Sequence, residues 1–341
     1  MPKIRSILCL LLALVILTAC GSGRLSPSLE SVDKSWYRLT DNYADHRQHQ
    51  SFFDTESGKI AYLDLKKSSD APVLVLLHGV PSSSWLYRKM LPELQQHYRV
   101  IAVDLLGYGS SDKPDSDGPL YKREAQASYV QELLKFLRVE KYSLAFHDMG
   151  GLVAWEMIDR DLISNKSSDQ KIKTIFVLNT IVAKEGFNHP NIKKGARARV
   201  MSNAFSSVVT SSAALEMTFN NMGLRSNAQL SEAECFGYVA PMKEGSNHAL
   251  YDFYTGFDDA LFSRLEQQIK GLERFTGRAY ILWGAQDKVL TTEQVPVLTK
   301  ALSKASVSTE IFEGNAHFLP EEIPNILMSR FIQARYNKPN E

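Results

Sequence analysis

A single acidic residue, Asp148, stands where an apolar segment (KYSLAF) meets a segment with near-helical spacing of apolar residues (GGLVAWEM). A carboxylate at such a strand-to-helix corner suits nucleophilic attack, because a sharp turn there lifts one side chain above the sheet at a helix N-terminus. It needs no base to become a nucleophile, since it is already ionised at neutral pH. Attack on a substrate carbon would leave an ester on the protein, which water must then cleave.

Cleavage of such an ester requires a histidine to activate the water and an acid to orient the histidine. Asp287 follows the predicted strand in YILWGAQD, and His317 lies in EGNAHFLPEEIP after the next strand. The chain order of nucleophile, acid and histidine is that of α/β-hydrolases. The backbone N–H groups of Val80 and Met149 are the candidate donors for the charge that develops on the substrate.

Strands and helices alternate along most of the chain, which predicts an α/β fold with a largely parallel sheet and helices on both faces. The alternation stops between residues 184 and 268, where the sequence is polar and helical in character, and then resumes. We therefore expect a helical cap inserted after the sixth strand. The predicted strands are two around a turn at Ser57-Gly58, then 72–77, YRVIAVD, 142–146, KIKTIFVLN, RAYILWGAQD and VSTEIFEG. The predicted helices are WLYRKMLPELQQH, 121–137, the segment after Asp148, 292–303 and the segment after Pro324.

Five segments together resemble the epoxide hydrolases and haloalkane dehalogenases of the α/β-hydrolase superfamily: HGVP, DLLGYGSSDKP, HDMGG, WGAQD and GNAHFLPEE. The resemblance extends from about Ser51 onward and is weakest in the insertion. It implies the α/β-hydrolase fold, with Asp148 as nucleophile, His317 as general base and Asp287 as the orienting acid. It calls for water and a small apolar substrate, and for no cofactor or metal.

The two branches of this family handle the leaving group differently. Dehalogenases hold the halide with indole or amide N–H groups, commonly from a Trp after the nucleophile and an Asn in an HGNP loop. Met149 and Val80 occupy those places here, and the four tryptophans lie outside the insertion. Each missing hydrogen bond to a halide would cost about 1–3 kcal/mol. Dehalogenation is therefore the alternative, and epoxide hydrolysis is favoured.

Epoxide opening needs an acid for the departing alkoxide, a role that lid tyrosines fill in the resembling family. Tyr254 in ALYDFYTGF and Tyr238 in GYVAP are the candidates, with packing as the alternative role for each. The YVAP segment also resembles part of a dehalogenase lid, which keeps that branch open. A catalytically silent ligand-binding lipoprotein of the same fold is the alternative from another class, because a fold alone does not imply catalysis.

The N-terminus predicts a lipoprotein signal peptide over residues 1–19. Two basic residues precede an apolar run over 7–17, which is too short to cross a bilayer comfortably. The run ends in LTAC, which resembles a bacterial lipobox with Cys20 as the lipidated residue; an ordinary secretory signal is the alternative. We expect anchoring in the bacterial cell envelope, at the periplasmic face of the outer membrane. Beyond Cys9 and Cys20 only Cys235 remains, so no intramolecular disulfide is expected.

The expected organisation is a tether and N-terminal extension (20–45), a hydrolase core in two parts (46–183 and 269–341) and the cap between them (184–268). A formal net charge of +1 gives no electrostatic reason to expect a nucleic-acid partner. The eight histidines show no metal-ligand spacing such as HExxH, and no dinucleotide or Walker A fingerprint occurs.

Overall fold

The computed structural model describes residues 33–116, 119–165, 169–188 and 230–336. Eight strands in these ranges form one sheet. They are β1 (Ser51–Thr55), β2 (Gly58–Leu65), β3 (Val73–Leu77), β4 (Arg99–Val103), β5 (Tyr142–Asp148), β6 (Ile172–Thr180), β7 (Arg278–Gly284) and β8 (Ser306–Phe312).

The sheet has the strand order β1-β2-β4-β3-β5-β6-β7-β8. β2 pairs antiparallel with β1 and β4, and the other neighbouring pairs are parallel. The central strands β3 to β6 are almost wholly buried, as continuous apolar runs require when helices cover both faces of a sheet. The predicted α/β-hydrolase fold with a mostly parallel sheet is confirmed.

Ten α-helices accompany the sheet in the described ranges. They are α1 (Tyr43–Gln48), α2 (Leu91–His97), α3 (Arg123–Phe136), α4 (Gly150–Ser164), α5 (Glu232–Lys243), α6 (Asn247–Thr255), α7 (Asp259–Gly271), α8 (Gln294–Ala301), α9 (Leu319–Glu322) and α10 (Pro324–Tyr336). The predicted helix WLYRKMLPELQQH is instead a 3₁₀ helix, Ser84–Tyr87, followed by α2. Pro92 explains the break, because proline fits the first turn of a helix but not its interior.

The described part of the insertion between β6 and β7 is helical and contains α5, α6 and α7. α5 begins with a capping box, in which Ser231 and Glu234 each bond to the other's backbone N–H. α7 begins at the N-cap Asp258, whose side chain accepts from the backbone N–H of Leu261. Residues 189–229 of the predicted cap lie outside the described residues.

α4 is the most buried helix around the sheet, and its packing fixes the end of β5. Trp155 of α4 packs edge-on against Phe146 of β5, with ring centroids 4.8 Å apart. Its indole N–H donates to the backbone carbonyl of Ile181, just after β6, over 2.9 Å. The start of α4 is thereby held between β5 and β6.

Within the described ranges, no helix combines the length and apolar character that crossing a membrane would need. The predicted signal peptide 1–19 and Cys20 lie outside the described residues.

Candidate active site

Asp148 occupies a strained turn between β5 and α4. Its φ of 49° lies in the left-handed region, which costs a non-glycine residue about 1–3 kcal/mol. The Thr180 hydroxyl donates to the backbone carbonyl of Asp148 over 2.6 Å and helps to hold the turn. A Cβ on Gly150 would lie 2.6 Å from the carbonyl oxygen of His78, so only glycine allows α4 to begin so close to β3. The sharp strand-to-helix corner predicted from the sequence is present.

The two carboxylate oxygens of Asp148 have different surroundings. Oδ2 accepts a hydrogen bond of 2.8 Å from the backbone N–H of Val80, and the Met149 N–H also favours the ionised carboxylate. A Cβ on Gly79 would lie 2.7 Å from Oδ2, so the loop after β3 can approach only with glycine there. Both candidate donors therefore serve the Asp148 carboxylate itself, and their role toward a substrate stays a prediction.

The loop after β3 is braced by the DLLGYGSSDKP segment. His78 bonds through Nδ1 to the carbonyl of Gly79 over 2.8 Å and accepts at Nε2 from the Leu105 N–H over 3.0 Å. The buried Asp104 carboxylate accepts from the N–H of Ser84 and the side chain of Gln50, at 2.7 Å and 2.8 Å. The loop that carries Val80 is thus tied to the end of β4.

Asp287 binds His317 and is itself held on all sides. Its Oδ2 lies 2.7 Å from His317 Nδ1 and accepts a bond of 2.8 Å from Asn179 Nδ2. Its Oδ1 accepts from the N–H groups of Val289 and Leu290 over 2.8 Å and 2.9 Å. Three donors besides His317 therefore hold the Asp287 carboxylate in place, and the fixed carboxylate orients the imidazole.

Asn179, at the end of β6, was not predicted from the sequence. Besides Asp287 it binds both backbone groups of Gly284: Nδ2 donates to the carbonyl over 3.3 Å, and Oδ1 accepts the N–H over 2.8 Å. Its φ of 25° is also positive. The available signal was a polar residue that ends a fully apolar strand (IFVLN).

The structure brings Asp148 and His317 face to face. His317 Nε2 lies 3.9 Å from Asp148 Oδ1, too far for a hydrogen bond. That nitrogen is buried and has no hydrogen-bond partner among the described residues. His147 bonds through Nε2 to the backbone carbonyl of His317 over 2.8 Å, so it helps to hold the main chain that carries the base.

The buried charges shift each other's pKa values. Burial raises the pKa of Asp148, while His317 and two backbone amides oppose that rise. Burial alone would lower the pKa of His317, but Asp287, Asp148 and Glu322 outweigh it and raise the value to about 9. Burial lowers the pKa of His147 well below its usual range, so this imidazole is neutral. The site thus favours a proton on His317 while Asp148 is negative.

A cavity of about 420 Å³ lies beside the nucleophile. Met149, the neighbour of Asp148, lines it together with residues of α4 and α6. Its lining is partly apolar and partly charged, and neither Asp148 nor His317 is among the lining residues. Residues that line it include Met149, Leu152, Val153, Phe253, Lys122 and Asp252.

Of the two candidate lid tyrosines, the structure describes the side chain of Tyr238 but not that of Tyr254. Tyr238 in α5 is buried, does not line the cavity, and donates its hydroxyl to Glu321. The bond to Glu321 agrees with the packing role that is the alternative for Tyr238, and its role as lid acid stays a prediction. Tyr254 belongs to α6, but its side chain lies outside what the structure describes.

Three of the four indole N–H groups donate to backbone carbonyls and not to the carboxylate. The acceptors of Trp85, Trp155 and Trp283 belong to Glu234, Ile181 and Leu290, respectively. Trp36 precedes β1. Among the described residues, no group of three His, Cys, Asp or Glu side chains could hold a metal ion.

Known proteins share both sequence and fold with this chain. A cis-3-alkyl-4-alkyloxetan-2-one decarboxylase of Xanthomonas campestris pv. campestris is 28 % identical over 293 residues, covering 79 % of this chain and 89 % of the relative. Epoxide hydrolase 4 of Mus musculus is 24 % identical over an alignment of 358 residues, covering 96 % and 93 %. A haloalkane dehalogenase structure from Bradyrhizobium elkani superimposes with a TM-score of 0.67 at 21 % identity, covering 84 % of this chain and 97 % of that chain.

The family model described as the alpha/beta hydrolase fold matches residues 72–324, which is well over half of the sequence. The sheet order, the strained turn at Asp148 and the placement of Asp287 and His317 after β7 and β8 agree with this match. The chain belongs to the α/β-hydrolase fold family.

Proposed function

We propose that this protein is a hydrolase that forms a covalent ester on Asp148 and clears it with water activated by His317. The proposal rests on the different surroundings of the two carboxylate oxygens of Asp148. Oδ2 is held by the Val80 N–H, whereas Oδ1 lies 3.9 Å from a His317 nitrogen that has no partner among the described residues. One oxygen is thus fixed and the other is left to attack.

In the first step, Oδ1 attacks an electrophilic carbon of the substrate, and the bond from that carbon to its leaving oxygen or halide breaks. Attack removes the negative charge of Asp148. Because that charge is one of the causes of the raised pKa of His317, ester formation lowers this pKa. The imidazole is then able to act as a base in the next step.

In the second step, water gives a proton to His317 Nε2 and its oxygen adds to the ester carbon of Asp148. The negative charge moves onto Oδ2, where the Val80 and Met149 N–H groups already point. The bond from the ester carbon to the substrate oxygen then breaks. The departing alkoxide takes that proton from His317, which leaves Asp148 as a carboxylic acid. This acid then passes the proton of the added hydroxyl to His317 and is again a carboxylate.

We propose an epoxide as the substrate class, on a small apolar molecule that fits the cavity beside Met149. An opened epoxide needs a proton for its alkoxide, and α6, which forms part of the cavity wall, carries Tyr254 as the candidate acid. A halide needs N–H donors, but three of the four indoles are bound to carbonyls. The mouse relative named as an epoxide hydrolase supports this choice over nearly the whole chain.

Dehalogenation is the second candidate. The YVAP segment of α5, which resembles part of a dehalogenase lid, favours it. The bacterial relative acts, by its name, on a four-membered oxetan-2-one ring, which is also a strained electrophile. The substrate panel therefore includes terminal epoxides, haloalkanes and an alkyl oxetan-2-one.

The first prediction concerns the ester. His317→Gln is expected to form it but to hydrolyse it about 10²–10⁴-fold more slowly, because the general base is lost. Mass spectrometry should find a substrate-sized mass increase on the peptide that contains Asp148, and Asp148→Asn, as control, should show none.

In heavy-oxygen water, one turnover of the unchanged protein should give product with ordinary oxygen. Heavy oxygen in that first product would exclude the ester, and tight binding without turnover would indicate a silent binding protein.

The second prediction concerns the charge coupling between the nucleophile and the base. Asp148→Asn should lower the pKa of His317 from about 9, because a neutral amide replaces a carboxylate that stabilises the imidazolium. NMR titration of the imidazole measures this directly. The unfolded pKa is about 6.5, so protonation of His317 stabilises the fold fully below that pH and its contribution is lost as pH rises through about 9. The variant should lose less stability over that window, and an unchanged titration would contradict the coupling.

The third prediction separates the two substrate classes. We propose Tyr254 as the acid for the alkoxide, since α6 forms part of the cavity wall. Tyr254→Phe should slow epoxide opening about 10²–10⁴-fold. It should leave any haloalkane reaction within a fewfold, because halide departure needs no proton. Tyr251→Phe on the same helix is the matched control, and equal losses in both variants would remove Tyr254 from the reaction.

The fourth prediction concerns location. We propose lipidation of Cys20 after removal of residues 1–19, on the strength of the LTAC segment. Cys20→Ser should block labelling by a radioactive fatty acid and move the protein from the membrane fraction to the soluble fraction. Cys235→Ser, which changes a buried cysteine in α5, is the control. Labelling that survives the Cys20 change would contradict the anchor.

A further inference from the structure

A buried cluster of charges joins three parts of the molecule near His317. Arg88 is fully buried, and its guanidinium binds the Glu321 carboxylate through both terminal nitrogens. Its Nη2 also donates to Glu234 over 2.7 Å. Lys89 Nζ lies 2.8 Å from Glu234 and 2.9 Å from Glu321. Two cations and two carboxylates thus balance each other, with Arg88 and Glu321 buried and Lys89 and Glu234 partly exposed.

The three parts are the loop that carries Val80, the cap and the turn that carries His317. Arg88 follows that loop by way of the 3₁₀ helix, Glu234 begins α5, and Glu321 lies in α9. Each part supplies charges that only the other parts neutralise. Removing a single member would leave an uncompensated buried charge, so the three parts are fixed relative to one another.

Glu321 and its neighbour Glu322 point to different sides of α9. Glu322 accepts from the N–H of Ala316 over 2.9 Å and from the N–H of Phe318 over 3.2 Å, on either side of His317 in the chain. It is also one of the carboxylates that raise the pKa of His317. Two adjacent residues of α9 therefore have separate roles: Glu322 holds the turn that carries His317, and Glu321 belongs to the charge cluster.

The cap contacts this helix directly through Tyr238. Tyr238 of α5 donates its hydroxyl to Glu321 Oε1. Close packing of α5 on Trp85 makes the contact possible: a Cβ on Gly237 would lie 2.3 Å from the indole, and the indole N–H donates to the Glu234 carbonyl over 3.0 Å. The position of α5 thus acts on Glu321 directly.

We propose that Tyr238 and Glu321 are positioning residues that couple the cap to the His317 turn, and so to the water step alone. The proposal rests on the proposed function, in which His317 serves hydrolysis of the ester and takes no part in forming it. Loss of the Tyr238 hydroxyl frees α9 to shift, and His317 moves with it through Glu322. Loss of this hydroxyl leaves the Arg88–Glu321 pair and the Val80 contact to Asp148 in place, so ester formation is unaffected.

The test is Tyr238→Phe, which removes one hydroxyl and leaves the ring in place. Ester formation should stay within about twofold of the unchanged protein, whereas ester hydrolysis should slow about tenfold, so that the ester accumulates during steady turnover. Single-turnover mass spectrometry measures both rates. Tyr129→Phe is the matched control, because it removes a hydroxyl that donates to Ser57 over 2.7 Å, away from α9. Equal slowing of both steps, or no change, would overturn the coupling.

A second variant and a second measurement keep the outcome clear. Glu321→Gln keeps the size of the side chain but removes the carboxylate that both Arg88 and Tyr238 contact, so it should slow ester hydrolysis at least as much as Tyr238→Phe does. Unchanged ester hydrolysis in this variant would overturn the coupling. NMR resonances of the His317 imidazole should shift in Tyr238→Phe and not in Tyr129→Phe. If the unchanged protein forms no ester, the proposed function fails, and the imidazole resonances still decide the coupling: unchanged resonances would overturn it.

Discussion

The hydrogen bond from the Val80 N–H to Asp148 is the contact around which the site is organised. It requires a carboxylate lifted out of the sheet at a positive φ, a loop that approaches within bonding distance, and glycine where a side chain would collide. A buried carboxylate without such donors would be costly and would tend to take up a proton. The backbone thus keeps the nucleophile charged, and the sheet keeps the backbone in place.

The same constraint explains why the supporting polar groups lie at the ends of the central strands. Asp104 follows β4, Asp148 ends β5, Asn179 lies at the end of β6, and Asp287 follows β7. Neighbouring parallel strands end at one edge of a sheet, so side chains far apart in sequence meet there. Each group is buried and satisfied mainly by backbone donors or by the next strand. The site is therefore rigid before any substrate arrives.

The sequence was informative where a residue's role depends on its own local turn. Asp148 and His317 sit in short segments whose spacing is characteristic, and the structure places them together. Asn179 escaped notice because its partner is 108 residues away and a single polar residue carries no spacing signal. The bond from Tyr238 to Glu321 could not be predicted from the sequence, because the direction of the hydroxyl depends on how α5 packs against Trp85. Helix packing of that kind leaves little trace in a sequence.

The cavity beside Met149 is lined by residues of the α/β core, including the starts of α3 and α4, and by residues of the inserted helices α6 and α7. Mutations in the insertion can therefore change the shape of the cavity, and with it the substrates that fit, without altering the candidate catalytic residues at the strand ends. Under selection, such a chain could come to accept new substrates through few mutations while its reaction stayed the same. That separation gives a single lineage a physical route to diversify.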